Sequence, residues 1–270
     1  MADFIYTLNC STIRPAKLLD KIAIAGETGY QAIELWHDDI DAHLSAGGSI
    51  GEVRRALSDQ GLVVPTTIYL KGWFETTGEE HRIELDECKR RMQQAAEVGA
   101  VHVIAGPPGG FADHDQGATN YRELLQIGRE IGVKPAMEFL GFVDDINTIE
   151  DALEIVEKAG DPDGTVVLDP FHIYRGGGSV EGISKLRADQ VAICHFNDVV
   201  TTPPRPEQHD KDRVYPGEGV FDLQRMLELL RGIGYRRWLS LELFREDLWT
   251  RDPREVARVG LEKMRAVAEA

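Results

Sequence analysis

The chain has 270 residues, of which 46 are acidic and 30 basic, for a formal net charge of −16. Such a surface repels nucleic-acid phosphates, so no nucleic-acid partner is expected. No stretch approaches the roughly 20 apolar residues of a membrane span. Cys10, Cys88 and Cys194 are scattered without metal-ligand spacing, and MADFIYTLNC carries neither a basic region nor a long apolar one. The expectation is a reduced, cytoplasmic protein with no secretory signal and no membrane partner.

Short apolar runs alternate with helix-compatible stretches along the whole chain. A first strand is predicted at Phe4–Leu8, a helix at Pro15–Thr28 and a second strand at Ala32–Trp36. A helix at Ile50–Gln60 leads to a third strand at Val63–Tyr69. A helix at Glu80–Val98 leads to a fourth at Val101–Ala105. The helix at Ala118–Ile131, the strand at Lys134–Phe139 and the helix at Ile146–Ala159 follow, then a strand at Val166–Asp169. The span Gly176–Asp189 is too short for a full helix, and the next strand is Val191–Phe196. Asp198–Gly219 reads as a long Pro-rich loop, a lid or substrate loop. A helix at Phe221–Gly232, a strand at Trp238–Leu243 and a helix at Pro253–Ala268 close the chain.

Glycines follow several helices (Gly61, Gly99, Gly132, Gly234), where a left-handed C-cap is expected. Helix, Gly, apolar strand is half of a β/α unit, and regular alternation argues for a parallel sheet. Eight strands without a ninth, and no dinucleotide fingerprint after the first, favour a closed barrel over an open doubly wound sheet. No linker or composition shift divides the chain. The fold class is therefore α/β, a single (β/α)8 TIM barrel over residues 1–270.

Four successive strands end in a metal-ligating side chain: Glu138 after VKPAM, Asp169 after TVVL, His195 after VAIC and Glu242 after WLSL. In a parallel barrel the C-terminal strand ends open on one face, so these four converge there. Three carboxylates and an imidazole at one point repel one another unless a divalent cation lies among them. The donor set is mostly hard and suits Mn²⁺, Mg²⁺ or Co²⁺, with Zn²⁺ also compatible. Any one of these acids taken alone fits a helix cap or a surface ion pair equally well; the joint pattern carries the metal reading.

Around this centre His172, in LDPFHIYRGGG, is expected in the following loop, contacting a substrate oxygen. Arg213, in HDKDRVYPGEG, is expected to fold over the pocket and clamp an oxyanion. Glu34, in AIELW, reads equally as a substrate contact or as the partner of a buried base. Trp36, Phe139 and Phe142 suit stacking on a polyol ring, with core packing expected for at least one of them. His102, in mid-strand, reads as a core histidine. The GPPGG run at 106–110 fits a tight turn as well as an anion cradle, and no Walker-type or GxSxG motif is present.

These motifs resemble the xylose-isomerase-like TIM-barrel superfamily of sugar isomerases and epimerases over essentially the whole chain. The residues that carry the resemblance are MEFLGF around Glu138, LDPFHIYRGG around Asp169 and His172, CHFNDV around His195, DRVYPGEG around Arg213, and SLELF around Glu242. The FHxYRGG string is most similar to the inosose isomerase branch, with ketose 3-epimerases next. The resemblance implies that Glu138, Asp169, His195 and Glu242 bind one divalent cation and that the two glutamates exchange a proton with the substrate. The expected partner is a polyhydroxy ketone, isomerised or epimerised through a metal-stabilised enediolate; a homo-oligomer is left open. The endonuclease IV branch carries a His after its Asp-Arg pair, where Val214 stands here, and is disfavoured. A 3-dehydroshikimate dehydratase shares the metal motif and remains an alternative, as does a metal-stabilised accessory subunit without catalysis.

Overall fold

A computed structural model describes residues 3–270. Eight parallel strands close into a barrel in sequence order: β1 (Ile5–Asn9), β2 (Ala32–Trp36), β3 (Thr66–Leu70), β4 (His102–Ala105), β5 (Lys134–Glu138), β6 (Thr165–Leu168), β7 (Val191–His195) and β8 (Trp238–Leu241). Around it run α1 (Leu18–Thr28), α2 (His37–Ser45), α3 (Ile50–Asp59), α4 (Gly78–Glu97), α5 (His114–Ile131), α6 (Ile149–Ala159), α7 (Pro170–Gly176), α8 (Leu223–Gly232), α9 (Glu246–Trp249) and α10 (Pro253–Ala268). The strands are buried on both faces, as a parallel sheet wrapped by helices requires. A small inner cluster (Ile68, Ile104, Val167, Ile193 and neighbours) fills the barrel, and the larger apolar core lies between sheet and helices.

Differences from the expected boundaries have local causes. The third strand begins at Thr66 rather than Val63, because Pro65 offers no N–H to the ladder and Val63 makes only one isolated bridge, to Ala32. The α5 helix starts at His114, before Ala118, since the Asp113 carboxylate accepts from the N–H groups of Asp115 and Gln116. Thr148 and Asp151 form a capping box that starts α6 three residues after the predicted Ile146. The helix α2, directly after β2, was not expected. The stunted connection between β6 and β7 is as expected: α7 is short and is followed by two 3-10 turns.

That short helix shapes the site. Asp169 is its N-cap, accepting from Phe171 N–H, and Pro170 supplies the pre-set first turn. His172 therefore stands in a helix and not, as expected, in a loop. The β5–α6 connection lies directly on α7: a Cβ added at Gly141 would come within 2.5 Å of the His172 carbonyl oxygen and 2.6 Å of Gly176 N. Only glycine permits this approach, which lets Gly141 N–H donate to His172 Nδ1 at 3.1 Å.

The long loop after β7 is a pinned wall. Asp198 accepts from the N–H groups of Val199, Gly217, Gly219 and Phe221. Gln208 is fully buried and donates to the Val200 and Pro203 carbonyls. Arg175 of α7 donates to the carbonyls of Pro206 and Gln208.

Because two backbone segments meet at Gly141, Gly141→Ala should destabilise the protein by about 1–3 kcal/mol, the usual cost of overpacking. Urea denaturation checks this; an unchanged midpoint would mean that the two segments separate freely.

Candidate metal centre

The register puts the functional side chains in one layer at the C-terminal end of the barrel. Asn9 on β1 pairs with Glu34 on β2, and His195 on β7 pairs with Ser240 on β8. Parallel register partners face the same side of the sheet. Glu138 is the last residue of β5; Asp169 and Glu242 follow directly on β6 and β8.

His195 is the hub. Its Nδ1 lies 3.1 Å from Glu242 Oε2, 3.4 Å from Asp169 Oδ2 and 3.7 Å from Glu138 Oε1. This nitrogen is buried and has no hydrogen-bond partner. Ligand atoms of Asp169, His195 and Glu242 lie within 4.8 Å of one another, with Glu138 at the edge of the group. A cation with bonds of about 2.1 Å holds neighbouring ligand atoms about 3.0–3.4 Å apart, close to the spacings around Nδ1. An orphaned imidazole nitrogen facing three carboxylate oxygens fits a divalent ion. Three of the four expected ligands, Asp169, His195 and Glu242, are thus brought together, and Glu138 stands beside them.

The electrostatics agree with that fit. Burial, reinforced by the Glu242 and Asp169 charges, pushes the Glu138 carboxyl up to about 8. Burial also raises Glu242, opposed by His195 and Arg213. Burial alone would raise Asp169, but Arg213, His172 and His195 outweigh it and hold its carboxyl well below the usual range. His195 is raised in spite of burial, chiefly by Glu242 and Glu34. The buried site carries more negative charge than its own cations cancel.

Above this layer opens a cavity of about 440 Å³, lined by Glu138, His195 and Glu242 at its base. Trp36, Tyr69, Phe142 and Phe244 form aromatic walls, and His172, Asp210, Arg213 and Lys71 supply polar groups. Phe142 therefore lies on the cavity, whereas Phe139 is buried in the core. Trp36 is held edge-on to Phe244 (5.8 Å) and donates from Nε1 to Asn9 Oδ1 at 2.9 Å. His172 is pushed down to about 4 by burial and so is neutral. Its Nδ1 lies 3.1 Å from the Gly141 N–H and its Nε2 lies 3.1 Å from Arg213 Nη2, so the ring is held between a backbone amide and the guanidinium.

Arg213 lines the cavity, but its Nη2 donates to Asp169 Oδ2 at 2.9 Å and lies 3.5 Å from Glu242 Oε2. Its guanidinium is stacked over Phe171 at 4.4 Å. The expected clamp on a free oxyanion is corrected to a cation that already braces two carboxylates of the centre. Glu34 is corrected more strongly. It is fully buried beneath His195 and does not line the cavity. Its oxygens accept from Thr66, Ser240 and Asn9 and face His195 Nε2. It takes the buried-base role and not the substrate contact. His102 is buried low on β4, as expected of a core histidine.

Sequence reasoning missed Asn9, which donates to both Glu34 Oε2 and Glu242 Oε1 at 3.0 Å. It also missed Asn197, which donates to Asp169 Oδ1 at 3.0 Å. Both follow the rule that found the ligands, a polar side chain at a strand's C-terminal end. Lys71, just beyond β3, was missed as well.

Residues 22–267 match the family model described as xylose isomerase-like TIM barrel. The chain belongs to this family. It is 31% identical over 189 residues to an inosose isomerase of Bacillus licheniformis, covering 67% of this chain and 68% of that protein. A 3-dehydroshikimate dehydratase of Pseudomonas aeruginosa is 26% identical over 270 residues, 96% of this chain and 40% of the relative. Among solved structures, an IolI protein with a bound zinc atom shares the fold at a TM-score of 0.91 and 24% identity, covering 100% of this chain and 98% of that one. No helix among the described residues is long and apolar enough to cross a membrane.

The raised Glu138 carboxyl gives a pH signature in the metal-free protein. Its folded value of about 8 lies above the unfolded value of about 4.3. Between these limits the folded state holds the extra proton, so stability falls as pH rises from about 4 to 8. Glu138→Gln should flatten this slope. Denaturation series from pH 5 to 8.5 with chelator present read the difference; parallel slopes in the two proteins would contradict the assignment.

Proposed function

We propose that this enzyme is a divalent-metal-dependent isomerase or epimerase of an inosose or related keto-sugar, acting by proton transfer through an enediolate. The observation that carries the reading is the pair Glu138 and Glu242, at the ends of β5 and β8, beside His195 Nδ1 at the base of a cavity with aromatic walls. The similarity to inosose isomerases supports the substrate class.

Glu138, Asp169, His195 and Glu242 would hold the cation. Bound there, it supplies Lewis acidity that polarises a carbonyl and offsets negative charge developing on its oxygen. Glu138 takes or returns the proton on carbon beside the carbonyl. Glu242, held by Asn9 through Oε1, presents Oε2 for the complementary transfer. Return of the proton to the neighbouring carbon gives isomerisation; return to the opposite face of the same carbon gives epimerisation. His172, on the cavity wall, contacts a substrate oxygen, and the aromatic walls, Trp36 included, cover apolar ring faces.

A dehydratase is the second reading, since the same enolate expels a hydroxyl when one stands at the β-carbon. It is supported by the similarity to a dehydroshikimate dehydratase and by Lys71, a cavity-lining cation with no ion pair among the described residues, suited to a substrate carboxylate.

Incubation in D₂O with inososes, ketoses and dehydroshikimate, followed by NMR, tests these readings. Metal-dependent deuterium beside a carbonyl is expected, and the product separates isomerase, epimerase and dehydratase. Glu138→Gln should lower kcat by about 100- to 10,000-fold with metal still bound. Near-wild-type turnover in that variant would remove Glu138 from the proton path.

A further inference from the structure

Glu34 buries a carboxylate one layer below the centre, out of reach of substrate. Its surroundings allow it a single role. Thr66 and Ser240 hydroxyls and the Asn9 amide donate to it, and both of its oxygens lie 3.4 Å from His195 Nε2. A carboxylate only accepts, so the nitrogen facing it must carry hydrogen. The neutral imidazole then bears its lone pair on Nδ1, the atom that faces Glu242, Asp169 and Glu138.

Asn9 extends the constraint. Its Oδ1 accepts from Trp36 Nε1 and Ser11 N–H, both at 2.9 Å, so its NH₂ cannot be flipped away from the carboxylates. That NH₂ bridges Glu34 Oε2 and Glu242 Oε1, which leaves Glu242 Oε2 turned toward His195 Nδ1.

We infer that Glu34 is a positioning residue: through a direct contact with His195 and through Asn9 it sets the imidazole tautomer and the Glu242 rotation that present a preformed cation site. The inference rests on the metal reading above. A glutamine of the same shape serves less well. With its oxygen kept toward Asn9, its NH₂ replaces Oε1, so one of the two acceptors that face His195 Nε2 becomes a donor and the hold on the tautomer weakens. Thr66 and Ser240 can reverse their hydroxyls, so the variant loses the tautomer constraint more readily than the fold.

The first test needs no variant. Zinc-loaded protein labelled with ¹⁵N-histidine, read by long-range ¹H–¹⁵N NMR, should show His195 protonated at Nε2 and metal-bound at Nδ1. Zinc on Nε2, or a proton on Nδ1, overturns the inference while leaving the metal site intact. Failure of the wild type to bind zinc removes both. In parallel, Glu34→Gln should weaken zinc binding about 10- to 100-fold in competition with a chelator. The loss should be clearly smaller when His195→Gln is already present, because the direct contact is then gone and only the route through Asn9 is left. Equal losses in both backgrounds would reduce Glu34 to a packing role.

Discussion

The constraint on which the site depends is the burial of four carboxylates, Glu34, Glu138, Asp169 and Glu242, around one imidazole. Each is costly away from water unless something compensates it. The protein compensates each differently. Glu34 is met by hydroxyls and an amide, Asp169 by Arg213, Asn197 and a helix N-terminus, and Glu242 by Asn9. Glu138 receives least and is the carboxyl pushed to about 8. The unpartnered His195 Nδ1 among these carboxylates is what supports the proposed cation site.

This arrangement divides the work between strands and loops. The cation-facing groups stand on or directly after β5–β8, where the barrel ladder leaves little freedom. The walls that meet the rest of a substrate come from Trp36, Lys71, Phe142 and Phe244 at the strand ends and in loops. The Asp198–Gly219 loop, anchored at Asp198 and Gln208, carries Arg213 into the centre and behaves as part of the scaffold. On the proposed reading, enolisation would rest on the rigid half of the site and substrate choice on the walls.

The short α7 helix links the two halves. By capping directly on Asp169 it fixes one oxygen of a cation-facing carboxylate, and three residues later it sets His172 on the cavity. Gly141 lets the β5 loop approach closely enough for its N–H to meet His172 Nδ1. Two imidazoles in one pocket are oriented oppositely: His195 turns Nδ1 to the carboxylates of Glu138, Asp169 and Glu242, and His172 turns Nε2 to Arg213.

The barrel and the gathering of Glu138, Asp169, His195 and Glu242 at its C-terminal end were legible in the sequence because both follow from periodic rules. Apolar strands alternate with capped helices, and polar residues at the ends of parallel strands must converge. Strand starts such as Thr66 and helix starts such as His114 were misplaced by a few residues, since Pro65 and the Asp113 cap act at single positions that an apolar pattern does not mark. What only the tertiary structure decided was direction and partner. Glu34 belongs under His195 and not on the cavity; Arg213 braces Asp169; Asn9, 233 residues from Glu242 in sequence, sets its rotation. A sequence records which side chains sit at the barrel's end, but which atom faces which is settled by register across a closed sheet, where each group's hydrogen-bonding capacity must be shared with neighbours on other strands.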